Sequence, residues 1–391
     1  MLSVEEVLGL IEKHIGALPV CAVDLDQARG LRLGVPLYAD ADEPAFDRSA
    51  MDGFAIPAGA GVGWYRLVGE SLPGGGVPGE VREGEALRVF TGSALPVGVR
   101  VVMQEDTVLR EDGVEVVRTG GATHVRVRGS AARAGDLLLA AGVQLEAAQL
   151  ALLAASGQVR PQVVPRARVA HLTTGREIVP PSSVPAPGQI RNTNAPLVRA
   201  LVESSGARFV EHRHALEDLS GALEICRTPG FAGADLLVVS GGASGGAHDH
   251  TGALLEALGF ELVCRRVNCR PGKPFLLGVA ACGGGRVAVG LPGNPLSHFV
   301  TYHVFVRRIL ERLMGSEDRG WTRVVLENPG VIQSDARETF WPARAERGRA
   351  VALPWLDSGH LGALSAVNAL LRIPPGTQPE PGAGLDAVEC F

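Results

Sequence analysis

The hydrophobic positions of the chain follow a helical period at its start and again near residue 150. Apolar residues of segment 4–11 lie on one helical face, and Ser3 with Glu6 has the spacing of a capping box. A helix is therefore predicted to begin directly after Ser3. Segment 145–156 has the same character and stops before Gly157. The two helices can pack together, with the region between them as an insertion.

Between residues 31 and 142 the pattern changes to short β-rich runs separated by glycine and proline. The dipeptide Asp112-Gly113 is typical of a β-hairpin turn. A small, mainly β region is therefore predicted. It carries two polar motifs, RSAMDGFA at 48–55 and FTGS at 90–93.

From residue 166 onwards strand-like and helix-like runs alternate. This alternation predicts a mostly parallel sheet between helices. The helix that starts at Asn194 is expected to stop at Gly206, and Asn294 can cap the last long helix with Pro295 as its first residue. From residue 321 short strands and turns return, which is consistent with a small β-barrel or an open sheet.

Three glycine-rich loops follow or separate these strands. The apolar run DLLVVS at 235–240 ends abruptly in GGASGG at 241–246, and PGKP at 271–274 and LPGNP at 291–295 come after it. Backbone N–H groups at such strand ends form a cradle for phosphate or another oxyanion, and ligands of open α/β sheets collect at this edge. One such loop is as often a plain turn, but three favour a binding site.

Composition narrows the class of protein. With 46% hydrophobic and 20% charged residues among 391, two to four domains with buried cores are expected. A net charge of −5 gives no overall basic field, so nucleic acid is not an expected partner. No apolar run reaches the roughly 18–20 residues of a membrane span, so no membrane partner is expected, and the start does not resemble a signal peptide. Six scattered cysteines without zinc or disulfide spacing fit a reducing cytoplasm.

Of the 37 basic residues only two are lysine, Lys13 and Lys273. Lys273 lies in the middle of PGKP. An ammonium group is a compact point charge whereas guanidinium is a planar fork, so a lysine in a glycine loop of this arginine-rich chain indicates a functional cation. The alternative is that a lysine remains at this position by chance.

Charged residues near the loops suggest a metal as well as an anion. Four carboxylates are predicted at loop positions, namely Asp52, Glu177, Asp218 and Asp249. A loop carboxylate usually forms a turn or cap, but Glu177 and Asp249 each follow the carboxyl end of a predicted strand. Carboxylates beside a phosphate cradle repel the ligand unless a cation intervenes, which predicts Mg²⁺ held by carboxylate and phosphate oxygens together. Basic side chains are available at Arg191, Arg270 and Lys273. The residues alone thus predict bond cleavage at phosphorus.

The ordered motifs resemble those of one family. RSAMDGFA, FTGS, TTGREIV with GQIRNTN, VVSGGASGGAHDHT, RPGKP and LPGNP are similar to the successive motifs of the molybdopterin molybdenumtransferase family. That family includes bacterial MoeA, the plant molybdenum insertase domain and the gephyrin E domain. The match covers nearly the whole chain, and the carboxyl-terminal SGHLGALSAVNAL resembles the family's last motif more loosely.

The resemblance implies a multidomain fold of α/β plus β with four parts. These are a helical/linker domain (1–30 with 136–165), a β-rich domain carrying SAMDG (31–135), a central mostly parallel α/β domain of molybdopterin-binding type (166–316) and a C-terminal β-barrel domain (317–391). It also implies an elongated homodimer, with each active site between the central domain of one subunit and the SAMDG region of the other. Transient contacts with other proteins of molybdenum cofactor biosynthesis are a further expectation.

The implied reaction takes adenylylated molybdopterin and molybdate, cleaves the pyrophosphate link with Mg²⁺, releases AMP and leaves molybdenum on the dithiolene. An activated water or a molybdate oxygen both fit as the attacking group. The resemblance, with the loop chemistry above, places catalytic roles on Asp52, Glu177, Asp218, Asp249 and Lys273. Glu177 and Asp249 are also the expected metal ligands. Substrate-binding roles fall on Thr91, Ser240, Gly241, Gly242, Ser244, Gly245, Arg270, Pro292, Gly293, Asn294 and Pro295.

Several positions depart from the family's pattern. They are Arg176, Ala247, His250, Gly362 and Ala363, together with Arg270 where lysine is common. Gly362 and Ala363 stand where the family usually has paired serines, so two hydroxyl donors are lost. The departures bear on molybdate binding and on the level of activity rather than on the fold. The sequence leaves both molybdate and tungstate open as the oxyanion.

Two other functions remain open at this point. A molybdopterin adenylyltransferase would explain the glycine loop, but not SAMDG, FTGS or the C-terminal β region. A non-catalytic molybdopterin-binding scaffold is disfavoured by the acidic set and Lys273. A nicotinamide dehydrogenase has little support, because no G-x-G-x-x-G opens the α/β region.

Overall fold

The computed structural model describes residues 1–216, 218–242, 250–281, 285–316, 320–329 and 331–390. The chain divides into two compact units. One consists of Met1–Ala22, Gly30–Gly34 and Gln162–Phe391, and the other of Val23–Arg29 and Val35–Pro161. We call them the α/β unit and the β unit.

The β unit is built on a six-stranded sheet. Its strands, in spatial order, are Val99–Met103, Gly53–Pro57, Glu85–Val89, Gly63–Ser71, Gly113–Val116 and Thr107–Arg110. Alternate residues of Gly53–Pro57 enter two different cores, Phe54 on one face and Ala55 on the other. Gly113 pairs with Arg110, so the predicted hairpin at Asp112-Gly113 is confirmed.

Shorter elements complete the β unit. They are the paired strands Arg48–Ser49 and Val125–Arg126, the paired strands Leu37–Tyr38 and Leu137–Leu139, the 3₁₀ turns Leu25–Gln27 and Gln104–Asp106, and the helix Ala147–Ala155. The helix lies within the segment predicted for it. It belongs to the β unit, whereas the amino-terminal helix belongs to the α/β unit.

The α/β unit contains the predicted sheet between helices. Its strands, in spatial order, are Arg208–Ala215, Arg168–Thr174, Leu236–Ser240, Val287–Leu291, Leu276–Ala280 and Phe260–Cys264. The first four are parallel, and Leu276–Ala280 alone runs against its neighbours. The prediction of a mostly parallel sheet is therefore confirmed. The apolar run at 236–240 is its fully buried central strand.

Helices cover both faces of this sheet. They are Val4–His14, Asn194–Ser204, Leu219–Cys226, Pro229–Ala232, His250–Ala257, Pro295–Thr301 and Arg307–Leu313, the last two joined by the π-helical turn Tyr302–Val306. Ser3 and Glu6 form the predicted capping box, with Glu6 N donating to Ser3 Oγ over 3.2 Å and Ser3 N to Glu6 Oε2 over 2.7 Å. Gly206, at φ +79°, ends Asn194–Ser204 as expected.

The last part of the chain forms a closed five-stranded barrel. Its strands are Thr322–Asn328, Glu338–Glu346, Arg349–Ala352, Ala369–Ile373 and Gly384–Glu389. The pairing of Glu338–Glu346 with both Arg349–Ala352 and Ala369–Ile373 closes the ring. This confirms the barrel over the open sheet. The short strand Cys269–Arg270 pairs with the barrel strand at Glu338, which ties the start of PGKP to the barrel.

Two small sheets also belong to the α/β unit, Cys21–Ala22 with Gln162–Val164 and Arg32–Leu33, and Ile178–Val179 with Ile190–Arg191. The division into four domains stays a prediction. None of the helices in the described ranges has both the length and the apolar character to cross a membrane.

Candidate active site

A cleft of about 890 Å³ opens in the α/β unit, where the parallel strands of its sheet end. Its walls come from Thr174 with Glu177, the turn Gly241–Gly242 with His250, residues 270–274, residues 292–294 with Ser297, and the barrel residues Arg337 and 355–358. Three predicted loops thus meet in one cavity. The loops at Gly241 and Pro292 follow neighbouring parallel strands, which end at the same edge of the sheet. The loop PGKP follows the short strand Cys269–Arg270, which pairs with the barrel strand that begins at Glu338.

The glycine turn requires glycine for steric reasons. Gly241 and Gly242 have φ values of +98° and +63°. A Cβ on Gly241 would lie 2.6 Å from the carbonyl oxygen of Thr174, so only glycine lets the two strand ends approach this closely. Thr251 Oγ1 donates to the Gly241 carbonyl over 2.6 Å and fixes the turn. The rest of the loop, including the predicted residues Ser244, Gly245 and Asp249, lies outside the described residues.

The PGKP turn presents Lys273 to the cleft. Gly272 has φ +120°, and a Cβ there would lie 2.5 Å from Thr301 Cγ2 on the helix beneath. The Lys273 carbonyl accepts a hydrogen bond from Val267 N over 3.0 Å. The backbone of this turn is therefore held by contacts at Gly272 and Lys273, which fixes the position from which the Lys273 side chain extends.

Two arginines form a second cationic group on the barrel side of the cleft. Asp335 pairs with Arg270 Nη1 over 3.1 Å and with Arg337 Nε over 3.1 Å. The Arg337 hydrogen bonds, opposed in part by burial, hold the pKa of the Asp335 carboxyl below its usual value. Arg270 also lies 4.8 Å above the Trp355 ring. Asp335 offsets one of the two charges and orients both guanidinium groups.

The LPGNP turn is held by side chains from elsewhere in the fold. Asn194 Nδ2 donates to the Gly293 carbonyl over 2.8 Å. Asn294 and Pro295 occupy the predicted cap and first positions of the helix. The side-chain cap bond expected from Asn294 is not formed, because its amide instead donates to Ser358 Oγ over 2.7 Å and joins the turn to the barrel loop.

The remaining predicted residues lie outside the cleft lining. Asp218 caps Leu219–Cys226, and its Oδ1 accepts from Gly221 N over 2.8 Å and from Ser220 Oγ over 2.6 Å. These bonds, that to the Ser220 hydroxyl foremost, lower the pKa of Asp218. It lines a small hollow that shares Thr174 and His250 with the cleft. Arg191 donates to the Ser183 carbonyl on the surface.

Two predicted residues belong to the β unit and are bonded to each other. Asp52 Oδ1 accepts from Thr91 N over 2.7 Å and from Thr91 Oγ1 over 2.8 Å. These hydrogen bonds, the backbone one first, lower the pKa of the Asp52 carboxyl. The structure thus brings SAMDG and FTGS together and holds an ionised carboxylate at their junction.

Sequence reasoning missed Arg337, Asp335, Trp355, Asp357 and Ser358. No local signal distinguishes Arg337 from the many other arginines of the chain, and its role depends on barrel closure. Among the described residues, Glu177 and Asp357 are the two carboxylates that line the cleft. Gly362 and Ala363 follow this wall in the 3₁₀ segment Leu361–Ala366. In the part of the chain that the structure describes, the cleft therefore combines three cations, two carboxylates and three glycine-containing turns, an arrangement suited to a phosphate-bearing anion.

Alanine substitutions at two cleft glycines should have different effects on stability, because an added Cβ would clash at Gly272 but not at Gly293. Gly272→Ala is expected to lower the free energy of unfolding by about 1–3 kcal/mol, because the methyl group meets Thr301 and φ is positive. Gly293→Ala should change it by no more than about 0.5 kcal/mol, since nothing lies within 4 Å of the added carbon. Urea denaturation of both variants measures the difference, and equal midpoints would contradict the geometry.

Two family models match the chain. The MoeA N-terminal region (domain I and II) matches residues 2–157, and the probable molybdopterin binding domain matches residues 170–312. The molybdopterin molybdenumtransferase of Nostoc sp. is 34% identical over 330 residues, which are 81% of this chain and 75% of that protein. The enzyme of the same name from Staphylococcus aureus (strain Mu50) is 27% identical over 399 residues, covering 96% and 92% of the two chains.

The fold is similar to that of a solved protein. A crystal structure of a molybdopterin biosynthesis MoeA protein from Pyrococcus horikosii matches with a TM-score of 0.85 and 25% identity, over 100% of this chain and 99% of that one. The similarity extends over the β unit, the central sheet and the barrel. The combination of α/β and β parts expected from the motifs is therefore confirmed.

Proposed function

Because the chain belongs to the molybdopterin molybdenumtransferase family, we propose that its cleft binds adenylylated molybdopterin and molybdate, inserts molybdenum from molybdate into the adenylylated pterin and supports Mg²⁺-dependent release of AMP. Family membership makes the chain a transferase of molybdenum cofactor biosynthesis that acts on molybdopterin. A single-domain adenylyltransferase would account for the match at 170–312 but not for the match at 2–157.

The observation that carries the proposal is the set of cations around the glycine turns. Lys273, Arg270 and Arg337 line one cleft with the turns Gly241–Gly242 and Pro292–Asn294. An adenylylated pterin has a pyrophosphate link, and molybdate is a second oxyanion, so the site must balance several negative charges. Ammonium and guanidinium groups supply charge, while backbone N–H groups add donors without it.

The donor set of the cleft also fits Mg²⁺. This ion is usually held by one or two carboxylates together with substrate phosphate oxygens. Glu177 lines the cleft, and no cluster of three or more His, Cys, Asp or Glu able to hold a metal on its own occurs in the described ranges. Glu177 and Asp249 would be the protein ligands. When bound, the ion would offset negative charge on the phosphate oxygens.

The chain's own residues would then act mainly by orientation. Arg270 and Arg337, fixed by Asp335, hold oxyanion oxygens in a set direction, and Lys273 meets the charge that develops as the P–O bond breaks. A water or molybdate oxygen forms a new P–O bond at phosphorus as the P–O bond of the pyrophosphate link breaks, so that AMP separates from the phosphate that stays on molybdopterin. Preorganised donors of this kind stabilise a transition state without rearranging during the reaction.

We also propose that the enzyme is a homodimer and that Asp52 with Thr91 completes the site of the partner subunit. The support is the motif resemblance together with the fixed, solvent-exposed carboxylate of Asp52. A carboxylate held by two hydrogen bonds costs little to order further when a second subunit or a substrate approaches it.

AMP release tests the reaction directly. Purified protein with adenylylated molybdopterin should release AMP only when molybdate and Mg²⁺ are both present, and chromatography would quantify the nucleotide. Tight pterin binding without AMP release under any condition would instead mean a binding role. Formation of adenylylated molybdopterin from ATP and molybdopterin would favour the adenylyltransferase.

A further inference from the structure

Beneath the cleft floor lies a buried layer of polar side chains. His171, Thr173, Ser240 and His298 have relative exposures of 0%, 3%, 2% and 0%. His171, Thr173 and Ser240 lie at the end of the sheet face whose other residues, among them Val169, belong to the main apolar core. His298 faces them from the helix Pro295–Thr301. Burying a polar group costs free energy unless the group is hydrogen-bonded. The presence of four polar side chains at these buried positions therefore calls for a physical reason.

The shortest contact of the layer leads directly to the glycine turn. His171 Nε2 and Ser240 Oγ are 2.6 Å apart, on neighbouring parallel strands. Ser240 is the last residue of its strand, and the next two residues are Gly241 and Gly242 of the cleft. The imidazole therefore holds the strand end from which the glycine turn begins.

A second contact of the layer joins an imidazole to another turn of the cleft, Pro292–Asn294. His298 Nδ1 lies 3.2 Å from the carbonyl oxygen of Pro292, at the start of Pro292–Asn294. The rings of His171 and His298 are 6.2 Å apart. Two imidazoles thus lie under two of the turns that line the cleft, one in contact with the strand end before Gly241 and the other with Pro292.

These histidines act as neutral groups. Burial, with smaller effects from His298 and His212, holds the pKa of His171 well below its usual value. Burial likewise lowers the pKa of His298 to about 4. Neither ring adds charge to the cleft at neutral pH, so any influence on the site must pass through hydrogen bonds and shape.

We propose that His171 is a positioning residue for the substrate site, acting through Ser240 on the turn Gly241–Gly242. A valine would fill this place in the apolar face without burying an imidazole whose Nδ1 has no hydrogen-bond partner among the described residues. The imidazole instead restricts the Ser240 hydroxyl and the direction in which the chain leaves the sheet. Ser240 itself, expected from the motifs to bind substrate, supports the turn from below.

A double-mutant cycle tests this role. His171→Val and Ser240→Ala should each weaken equilibrium binding of adenylylated molybdopterin about tenfold, and the double variant should be no weaker than either single one. Calorimetric titration without molybdate needs no turnover, so it stays informative even if the proposed AMP release fails. Ser240→Thr, which keeps the hydroxyl, should restore binding.

Val169→Ala is the matched control for loss of stability. Val169 is equally buried on the same face of the same strand, two residues before His171. The variant Val169→Ala should lower the midpoint of urea denaturation while leaving the dissociation constant for adenylylated molybdopterin unchanged. Unchanged binding in His171→Val, or effects of His171→Val and Ser240→Ala that simply add, would overturn the proposal. The inference rests on the proposed function only for the choice of ligand.

Discussion

Replacement of Lys273 by alanine is expected to lower kcat/KM for AMP release by about 10²–10³-fold, the usual loss when one preorganised donor to a developing oxyanion is removed. Lys273 lines the cleft on a turn whose backbone bonds to Val267 and packs closely against Thr301 at Gly272. Water that replaces the ammonium group has no charge to offer and must reorganise. Rates with varied adenylylated molybdopterin, at saturating molybdate and Mg²⁺, measure the effect.

The chain supplies its own control for this substitution. Lys13 is the other lysine, and it lies in the last turn of Val4–His14. Lys13→Ala should leave the rate within a factor of about two, because a change at an exposed site away from the cleft has little effect on the fold. Lys273→Arg should recover only part of the activity, since a planar fork does not replace a point charge. Full activity in Lys273→Ala would remove Lys273 from the mechanism.

A mixture of two impaired variants is expected to recover activity. Asp52→Ala and Lys273→Ala should each keep no more than about one hundredth of the wild-type rate when alone. After subunit exchange about half of the dimers are mixed, and each mixed dimer has one intact site of two, which gives about a quarter of the wild-type rate. In the proposed homodimer, the Lys273 cleft of that site comes from one subunit and the Asp52–Thr91 pair from the other. AMP release before and after exchange measures the gain.

The matched control is a chain that carries both substitutions. Mixed with Asp52→Ala, it forms dimers in which every site lacks Asp52, so no activity should return. A first mixture that stays inactive after exchange, with exchange verified by native mass spectrometry, would place each site within a single chain. It would leave the prediction for Lys273 untouched, because that prediction concerns the cleft alone.

Much of the fold could be predicted because its signals are local. The capping box at Ser3, the hairpin turn at Asp112-Gly113 and the helix stop at Gly206 each depend on residues within a few positions of one another. The parallel sheet could be predicted because buried strands and helices alternate along the chain. Two of the three glycine loops could be predicted at one site, since parallel strands place their carboxyl ends at one edge, whereas PGKP reaches it from a short strand paired with the barrel.

The partners of those loops could not be predicted in this way. Asn294 has the right residue type and place for a helix cap, yet its amide bonds to Ser358, which is 64 residues away. This contact depends on how the barrel closes, and no local sequence pattern encodes it. The same holds for Asp335, which is 65 residues from Arg270 and orients it.

The sequence by itself determined the strands, the turns, the one lysine of the cleft and the family of the chain, because each depends on residue type and short spacing. Only the tertiary structure decided that Arg337 and Trp355 complete the cleft and that His171 supports Ser240 from below. Those contacts follow from strand register and barrel closure, which bring distant residues together by packing of the whole unit. Local propensity cannot specify them, because many alternative partners have the same residue type.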